Sequence, residues 1–125
     1  MLKDFMSSVS IFDSLSDEKI SALEKIVSVR DYPKGSMIIL EEEFGDIVFI
    51  IKSGTVKITR VNDEGKEVIL AMLGESEIFG EMALIDGEAR SANALAQEDC
   101  QLIAISSEDF ISILKDNFSV SLSLM

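Results

Sequence analysis

The spacing of apolar residues changes once along the chain, near residue 28. Before that point they recur at intervals typical of a helix, which predicts one helix over about 16–27 with a single buried face. Its apolar positions are Ile20, Leu23, Ile26 and Val27. The segment Ser14-Leu15-Ser16 predicts the helix start, because serine is a good cap and acids at positions 17 and 18 suit the positive end of a helix. Residues 1–12 form a lead-in whose apolar side chains can pack on the domain, namely Phe5, Met6, Ile11 and Phe12.

After residue 28 the chain consists of short apolar runs divided by turn residues, a pattern typical of β structure. The predicted strands are Val29–Tyr32, Met37–Leu40, Ile47–Lys52, Thr55–Val61, Glu67–Leu73, Ala92–Ala96 and Cys100–Ile105. The turns are predicted at Pro33-Lys34-Gly35, Phe44-Gly45-Asp46, Ser53-Gly54 and Asn62-Asp63-Glu64-Gly65. At Ser53-Gly54 we expect a two-residue hairpin, since glycine adopts the required positive φ without penalty.

The C-terminal part returns to a helical pattern. Ser106-Ser107-Glu108-Asp109 is a capping signature, and it predicts a helix over about 107–115. The apolar, serine-rich segment Phe118–Met125 indicates the start of a further helix. About eight evenly spaced short strands with helices only at the ends predict a mainly β fold, an antiparallel barrel or double-sheet jelly roll with short flanking helices. We expect one domain over residues 1–125.

Composition narrows the classes of function. A formal net charge of −12 argues against a nucleic-acid-binding face in this segment, because such faces need clustered Lys and Arg. The chain has no histidine, which removes the commonest general base and metal ligand, so we expect neither an enzyme nor a metal site. Its one cysteine, Cys100, is interpreted as a small core residue. No apolar stretch is long enough to span a membrane and the N-terminus lacks a secretion signal, so we expect a cytoplasmic protein.

The stretch richest in candidate chemistry is Phe79–Ala96, which reads FGEMALIDGEARSANALA. Gly80 precedes a run of helix-forming residues, and a glycine at a helix N-terminus leaves backbone N–H groups open to an anion. Arg90 can donate two hydrogen bonds to a phosphate and Ser91 can donate a third. Glu81 accepts hydrogen bonds, which suits the hydroxyl groups of a ribose. The pattern therefore favours a sugar phosphate over a bare phosphate. The candidate ligand-binding residues are Phe79, Gly80, Glu81, Met82, Ala83, Arg90, Ser91, Ala92 and Asn93.

This stretch resembles the phosphate-binding cassette of cyclic-nucleotide-binding domains, as found in CRP/FNR-type regulators and in cyclic-nucleotide-dependent kinases. The match lies in Phe79-Gly80-Glu81-Met82-Ala83-Leu84 and, five residues later, Arg90-Ser91-Ala92. A second resemblance is Phe49–Val56, whose glycine shapes a turn. The chain departs from the family in having Ala89 where many kinase cassettes have proline. It also has Glu75-Ser76-Glu77 where many relatives have a glycine.

The resemblance implies a role for each matching residue. Glu81 would accept a hydrogen bond from the ribose 2′-hydroxyl, Gly80 and Arg90 would hold the cyclic phosphate, and Ser91 would lie beside it. It also implies a cAMP or cGMP sensor with no other cofactor, forming the N-terminal part of a CRP/FNR-type transcription regulator whose DNA-binding part lies outside this chain. The full-length protein is expected to be a homodimer through a C-terminal helix. The choice between cAMP and cGMP stays open, because a hydroxyl residue at position 91 accompanies cGMP in kinases but also occurs in bacterial cAMP sensors.

One alternative is a regulatory or interaction module that keeps the barrel and senses another ligand or none. In that case Arg90 would form a structural salt bridge with Glu81, Asp86 or Glu88. The presence of both Glu81 and Arg90 favours the ligand-binding interpretation.

Overall fold

The computed structural model describes residues 5–6, 9, 12, 15–39, 47–80 and 92–116. The predicted strand residue Leu40, the predicted turn at 44–46 and the predicted further helix at 118–125 lie outside this part of the chain. So do five of the nine candidate ligand-binding residues, namely Glu81, Met82, Ala83, Arg90 and Ser91. Their predicted roles stay predictions.

Eight described strands form two four-stranded antiparallel sheets, which confirms the predicted mainly β jelly-roll class. The strands are β1 (Ser28–Tyr32), β2 (Met37–Ile39), β3 (Ile47–Ser53), β4 (Val56–Val61), β5 (Glu67–Leu73), β6 (Ile78–Phe79), β7 (Asn93–Ala96) and β8 (Cys100–Ser106). The first sheet has the order β1-β8-β3-β6, and the second has the order β2-β7-β4-β5. Among the described residues, two helices flank the sheets, α1 (Asp17–Ile26) and α2 (Ser107–Asp116).

Strands β3 and β8 of the first sheet are buried on both faces, because their alternating side chains enter two different cores. One face packs against α1, α2 and the lead-in segment, and the other faces the second sheet. The helix-facing core contains Val48, Ile50, Ile103, Ile105, Ile20, Leu23, Phe110, Met6, Val9 and Phe12. The core between the sheets contains Phe49, Ile51, Leu102, Ala104, Ile39, Val56, Phe79, Ala94, Ala96 and Cys100. Burial on both faces explains why β3 and β8 are almost continuously apolar.

The N-terminal helix begins as predicted and buries less than predicted. The Ser16 hydroxyl accepts a hydrogen bond from the Lys19 backbone N–H at 3.3 Å, which makes Ser16 the N-cap. Ile20 and Leu23 are buried, but Ile26 is 48% exposed. The prediction for Ile26 is wrong because the helix ends at this residue, and Val27 already has extended backbone leading into β1.

The C-terminal helix confirms the capping signature at Ser106. The Ser106 hydroxyl accepts from the Asp109 N–H at 3.2 Å and donates to the Asp109 carboxylate at 2.9 Å. This reciprocal arrangement satisfies a backbone donor that the first helical turn would otherwise leave unpaired. Phe110 lies in the next turn and is fully buried in the helix-facing core.

Replacing the cap gives a first testable expectation. We expect Ser106→Ala to lower the free energy of unfolding by about 1 kcal/mol, the usual size of a serine N-cap. Urea denaturation of the wild type and the variant measures this loss. Ser107→Ala is the matched control, because it removes the same hydroxyl from the first residue of α2 instead of from its cap. Equal losses in the two variants would contradict the capping role.

The turn at Gly54 has the predicted backbone conformation, but the predicted hairpin is wrong. Gly54 has φ +97°, in the left-handed region that favours glycine. The strands on either side do not pair: β3 is hydrogen-bonded to β6 and β8, whereas β4 is hydrogen-bonded to β5 and β7. The Ser53-Gly54-Thr55 segment therefore leads from one sheet to the other. Whether β3 and β4 pair with each other depends on tertiary contacts between strands. The residue types of the turn do not indicate the outcome.

Candidate functional site

The candidate cassette joins the two sheets. Its N-terminal end follows β6, which pairs with β3 in the first sheet. Its C-terminal end leads into β7, which lies between β2 and β4 in the second sheet. Phe79 and Asn93, which lie on either side of segment 81–91, are therefore in different sheets. Four candidate residues, Phe79, Gly80, Ala92 and Asn93, lie in the described flanks.

Phe79 is a strand residue whose side chain packs in the core. It is 5% exposed, and its ring stacks on that of Phe49 with 5.3 Å between centroids and 18° between planes. The ring of Tyr32 contacts that of Phe49 edge-on, with 6.2 Å between the two centroids. This aromatic group fixes the chain immediately before the cassette. The strand itself was not predicted, because the two residues of β6 are too few to show a period.

Gly80 follows directly and has φ +91°. An L-residue with a side chain is strained at this angle, whereas glycine is not. The left-handed conformation also means that Gly80 is not itself helical, so any helix in the cassette would begin after it. The position requires glycine for its backbone shape, which is a physical reason for the residue type independent of any ligand.

The C-terminal flank of the cassette lies beside a buried hydroxyl residue. Ala92 and Asn93 are half-buried, and Asn93 is the cross-strand neighbour of Thr59 on β4. Thr59 is 1% exposed, and among the described residues it is the one polar residue that is buried. Sequence analysis missed Thr59 as a neighbour of the cassette. Only the register of β4 against β7 reveals it, and a single sequence does not give that register.

A tight turn precedes β6 on the other side of the cassette. The Glu77 N–H donates to the Gly74 carbonyl at 3.1 Å, and the Glu77 carboxylate accepts from the Gly74 N–H at 2.6 Å. Ser76 has φ +74°, and no other described residue besides glycine has a positive φ. This turn contains the segment 75–77, where the sequence departs from the glycine typical of relatives.

The family model for the cyclic nucleotide-binding domain matches residues 29–117. The chain belongs to this family. It is 34% identical over 110 residues to the cyclic AMP receptor protein of Thermus thermophilus, covering 88% of this chain and 51% of the relative. It is 37% identical over 111 residues to human cGMP-dependent protein kinase 2, covering 86% of this chain and 14% of the kinase.

A solved structure shows the same fold over almost the whole chain. The sensor domain of the transcriptional regulator DNR from Pseudomonas aeruginosa superimposes with a TM-score of 0.87 at 28% identity. That match covers 98% of this chain and 82% of the other. The full-length relatives are much longer than the chain, which spans about half of the bacterial receptor and about a seventh of the kinase. The shared unit is thus the cyclic nucleotide-binding domain alone.

The one cysteine of this cyclic nucleotide-binding domain, Cys100, has a structural role in the core. Cys100 is 4% exposed, and its Sγ lies 3.2 Å from the carbonyl oxygens of both Thr55 and Glu98, which share its one S–H donor. Burial raises the pKa of the Cys100 thiol, and the negative charges of Glu98 and Asp99 raise it further. The core role predicted for Cys100 is confirmed.

Within the described ranges, no three His, Cys, Asp or Glu side chains are grouped so that they could hold a metal ion. In the same ranges, no helix has the length and apolar character to cross a membrane.

Proposed function

We propose that this cyclic nucleotide-binding domain is a non-catalytic sensor that binds cAMP or cGMP through the segment beginning at Gly80. Arg90 and the Gly80 amide hold the cyclic phosphate, Ser91 lies beside it, and Glu81 accepts a hydrogen bond from the ribose 2′-hydroxyl. The observation that carries the proposal is the match of residues 29–117 to the cyclic nucleotide-binding domain family. The proposal is also supported by the position of Gly80, at the end of a strand anchored in the core. The cassette residues follow it in the order that the family resemblance requires.

The proposed mechanism is a shift between two arrangements of the cassette. A ligand that binds one arrangement more tightly raises its population, and any element that contacts the cassette or α2 can transmit the change. We propose that this output is DNA binding by another part of a cytoplasmic, homodimeric CRP/FNR-type regulator. The net charge of −12 supports the view that DNA contacts are made elsewhere.

Calorimetric titration of the chain with cAMP and with cGMP tests the proposal. We expect saturable binding of at least one of them, and much weaker binding of linear 5′-AMP, which has the base and ribose but not the cyclic phosphate. Absence of binding to both cyclic nucleotides by a folded chain would contradict the proposal. That result would favour a module that keeps the barrel and senses another ligand or none.

The role of Glu81 has its own test. We expect Glu81→Gln to weaken the binding of the ribonucleotide by about tenfold, because a carboxylate accepts a stronger hydrogen bond from a hydroxyl than an amide oxygen does. Binding of the 2′-deoxy analogue should change little, since that ligand lacks the hydroxyl. Calorimetry with both ligands measures the difference.

The matched control is Glu88→Gln, which removes the same charge from the same segment. It should leave the preference for the ribonucleotide over the deoxy analogue unchanged. If the Glu81 variant retains the wild-type preference, Glu81 does not contact the 2′-hydroxyl.

A further inference from the structure

The turn Gly74–Glu77 connects the β4–β5 hairpin to the start of the cassette. Two backbone hydrogen bonds fasten it to β3, from the Ser76 N–H to the Ile51 carbonyl at 2.8 Å and from the Ile51 N–H to the Glu77 carbonyl at 2.9 Å. Only Ile78 and Phe79 separate Glu77 from Gly80. The turn therefore acts together with the pairing of β6 and the packing of Phe79 to set where the Gly80 amide lies.

The turn is held in a conformation that its sequence disfavours. Ser76 lies in the left-handed region at φ +74°, which is unfavourable for a residue with a side chain. The Glu77 carboxylate opposes relaxation by accepting the Gly74 N–H across the turn at 2.6 Å. A charged acceptor makes a stronger bond to a backbone N–H than a neutral one does. Strain at one residue and a side-chain clamp at the next are thus coupled.

We infer that Glu77 is a positioning residue for the ligand site, acting through the turn and β6 on Gly80. This inference rests on the proposed cyclic-nucleotide function. Without the carboxylate, Ser76 can relax to a negative φ, which moves the attachment of Glu77 and β6 to β3. The Gly80 N–H is then no longer held where the cyclic phosphate requires it. Glu77 itself does not touch the ligand.

A double-mutant cycle with Ser76 separates this role from a general loss of stability. We expect Glu77→Ala to weaken binding of the preferred nucleotide, cAMP or cGMP, by about tenfold in a chain that remains folded. Adding Ser76→Gly removes the strain, so the turn keeps its shape without the clamp. The double variant should bind within about twofold of the wild type. Glu75→Ala is the matched control, because it removes an exposed carboxylate from the same turn and leaves the bond to Gly74 in place.

The backbone amide resonance of Gly80, measured by NMR without ligand, provides a second readout. It should move in Glu77→Ala, return toward its wild-type position in the double variant, and stay in place in Glu75→Ala. Unchanged affinity and an unchanged Gly80 resonance in Glu77→Ala would overturn the inference, as would a double variant that binds no better than Glu77→Ala. If the wild type binds neither nucleotide, the proposed function fails. The Gly80 resonance then decides separately whether Glu77 positions this part of the chain.

Discussion

Arg90→Ala is expected to reduce the affinity for cyclic nucleotide by about 30-fold to several thousand-fold while the domain stays folded. Arg90 is the one cation in the sequence 79–96, and the whole chain has 11 basic against 23 acidic residues. An anionic ligand therefore binds against an unfavourable overall field and depends on this local charge. Losing a charge-assisted, bidentate contact costs about 2–5 kcal/mol, which corresponds to the expected range of affinity.

Two further variants make this measurement specific. Arg90→Lys keeps the charge but loses the planar pair of donors, so its affinity should lie between those of the wild type and Arg90→Ala. Arg30→Ala removes the same charge from an exposed position on β1, in the sheet that does not contain β7, and should bind like the wild type. Wild-type affinity in Arg90→Ala would place the phosphate elsewhere.

Gly54→Ala is expected to cause the largest loss of stability, about 2–5 kcal/mol, from two physical causes. A side chain at φ +97° is strained, which accounts for roughly 1–2 kcal/mol. In addition, the new Cβ would lie 2.6 Å from the Asp99 carbonyl oxygen and 2.7 Å from the Cys100 Sγ. These are contacts with backbone and with a buried thiol, so relieving them requires the β8 end of the sheet to move, at a further cost of about 1–3 kcal/mol.

Gly65→Ala separates the two causes of this loss. Gly65 also has a positive φ, +80°, but a Cβ there would meet nothing within 4 Å. We therefore expect it to show the backbone strain alone, about 1–2 kcal/mol. Chemical denaturation of both variants gives the comparison. Equal losses would mean that the close approach of Gly54 to Cys100 does not limit stability.

The sequence predicted the bounds of several strands to within one residue, because turn residues separate them. β5 has the predicted bounds Glu67–Leu73, and the predicted limits of β3, β4 and β8 differ from the observed ones by one residue. The starts of both helices were predictable because Ser16 and Ser106 cap them by local hydrogen bonds. Such features depend on residues a few positions apart, and a single sequence contains all the information needed for them.

The sequence failed where long-range pairing decides the outcome. The change of sheet at Gly54 and the existence of β6 follow from which strands meet, and neither has a local signature. The same holds for the apolar residues of β5. Four of its five large apolar residues, Val68, Ile69, Leu70 and Met72, are 39–57% exposed, and β5 is an edge strand of its sheet. An apolar run alone does not distinguish an edge strand from a central one.

For the candidate site, the sequence predicted which residue types could bind a ligand. The structure adds the backbone conformation of the described residues that flank them. The glycine at position 80 was predicted for its amide, whereas its left-handed φ explains why glycine is needed there. The segment Glu75-Ser76-Glu77 was noted only as a departure from the family resemblance, and the positive φ of Ser76 shows where this segment is strained. The hydrogen bond between the Glu77 carboxylate and the Gly74 N–H depends on a turn conformation that no sequence motif predicts.

Mapping the ligand by NMR tests the central claim most directly, that a cyclic nucleotide binds at the cassette. In a titration of the ¹⁵N-labelled chain with cAMP and with cGMP, we expect the largest shifts at the Gly80 amide, the Arg90 side-chain Nε–H and the Asn93 amide. An open cleft of about 470 Å³, lined among others by Asp31, Ser53 and Asp99, serves as an internal reference. The amide resonances of these three residues should stay in place. Shifts confined to that cleft, or no shifts with either nucleotide, would contradict the account.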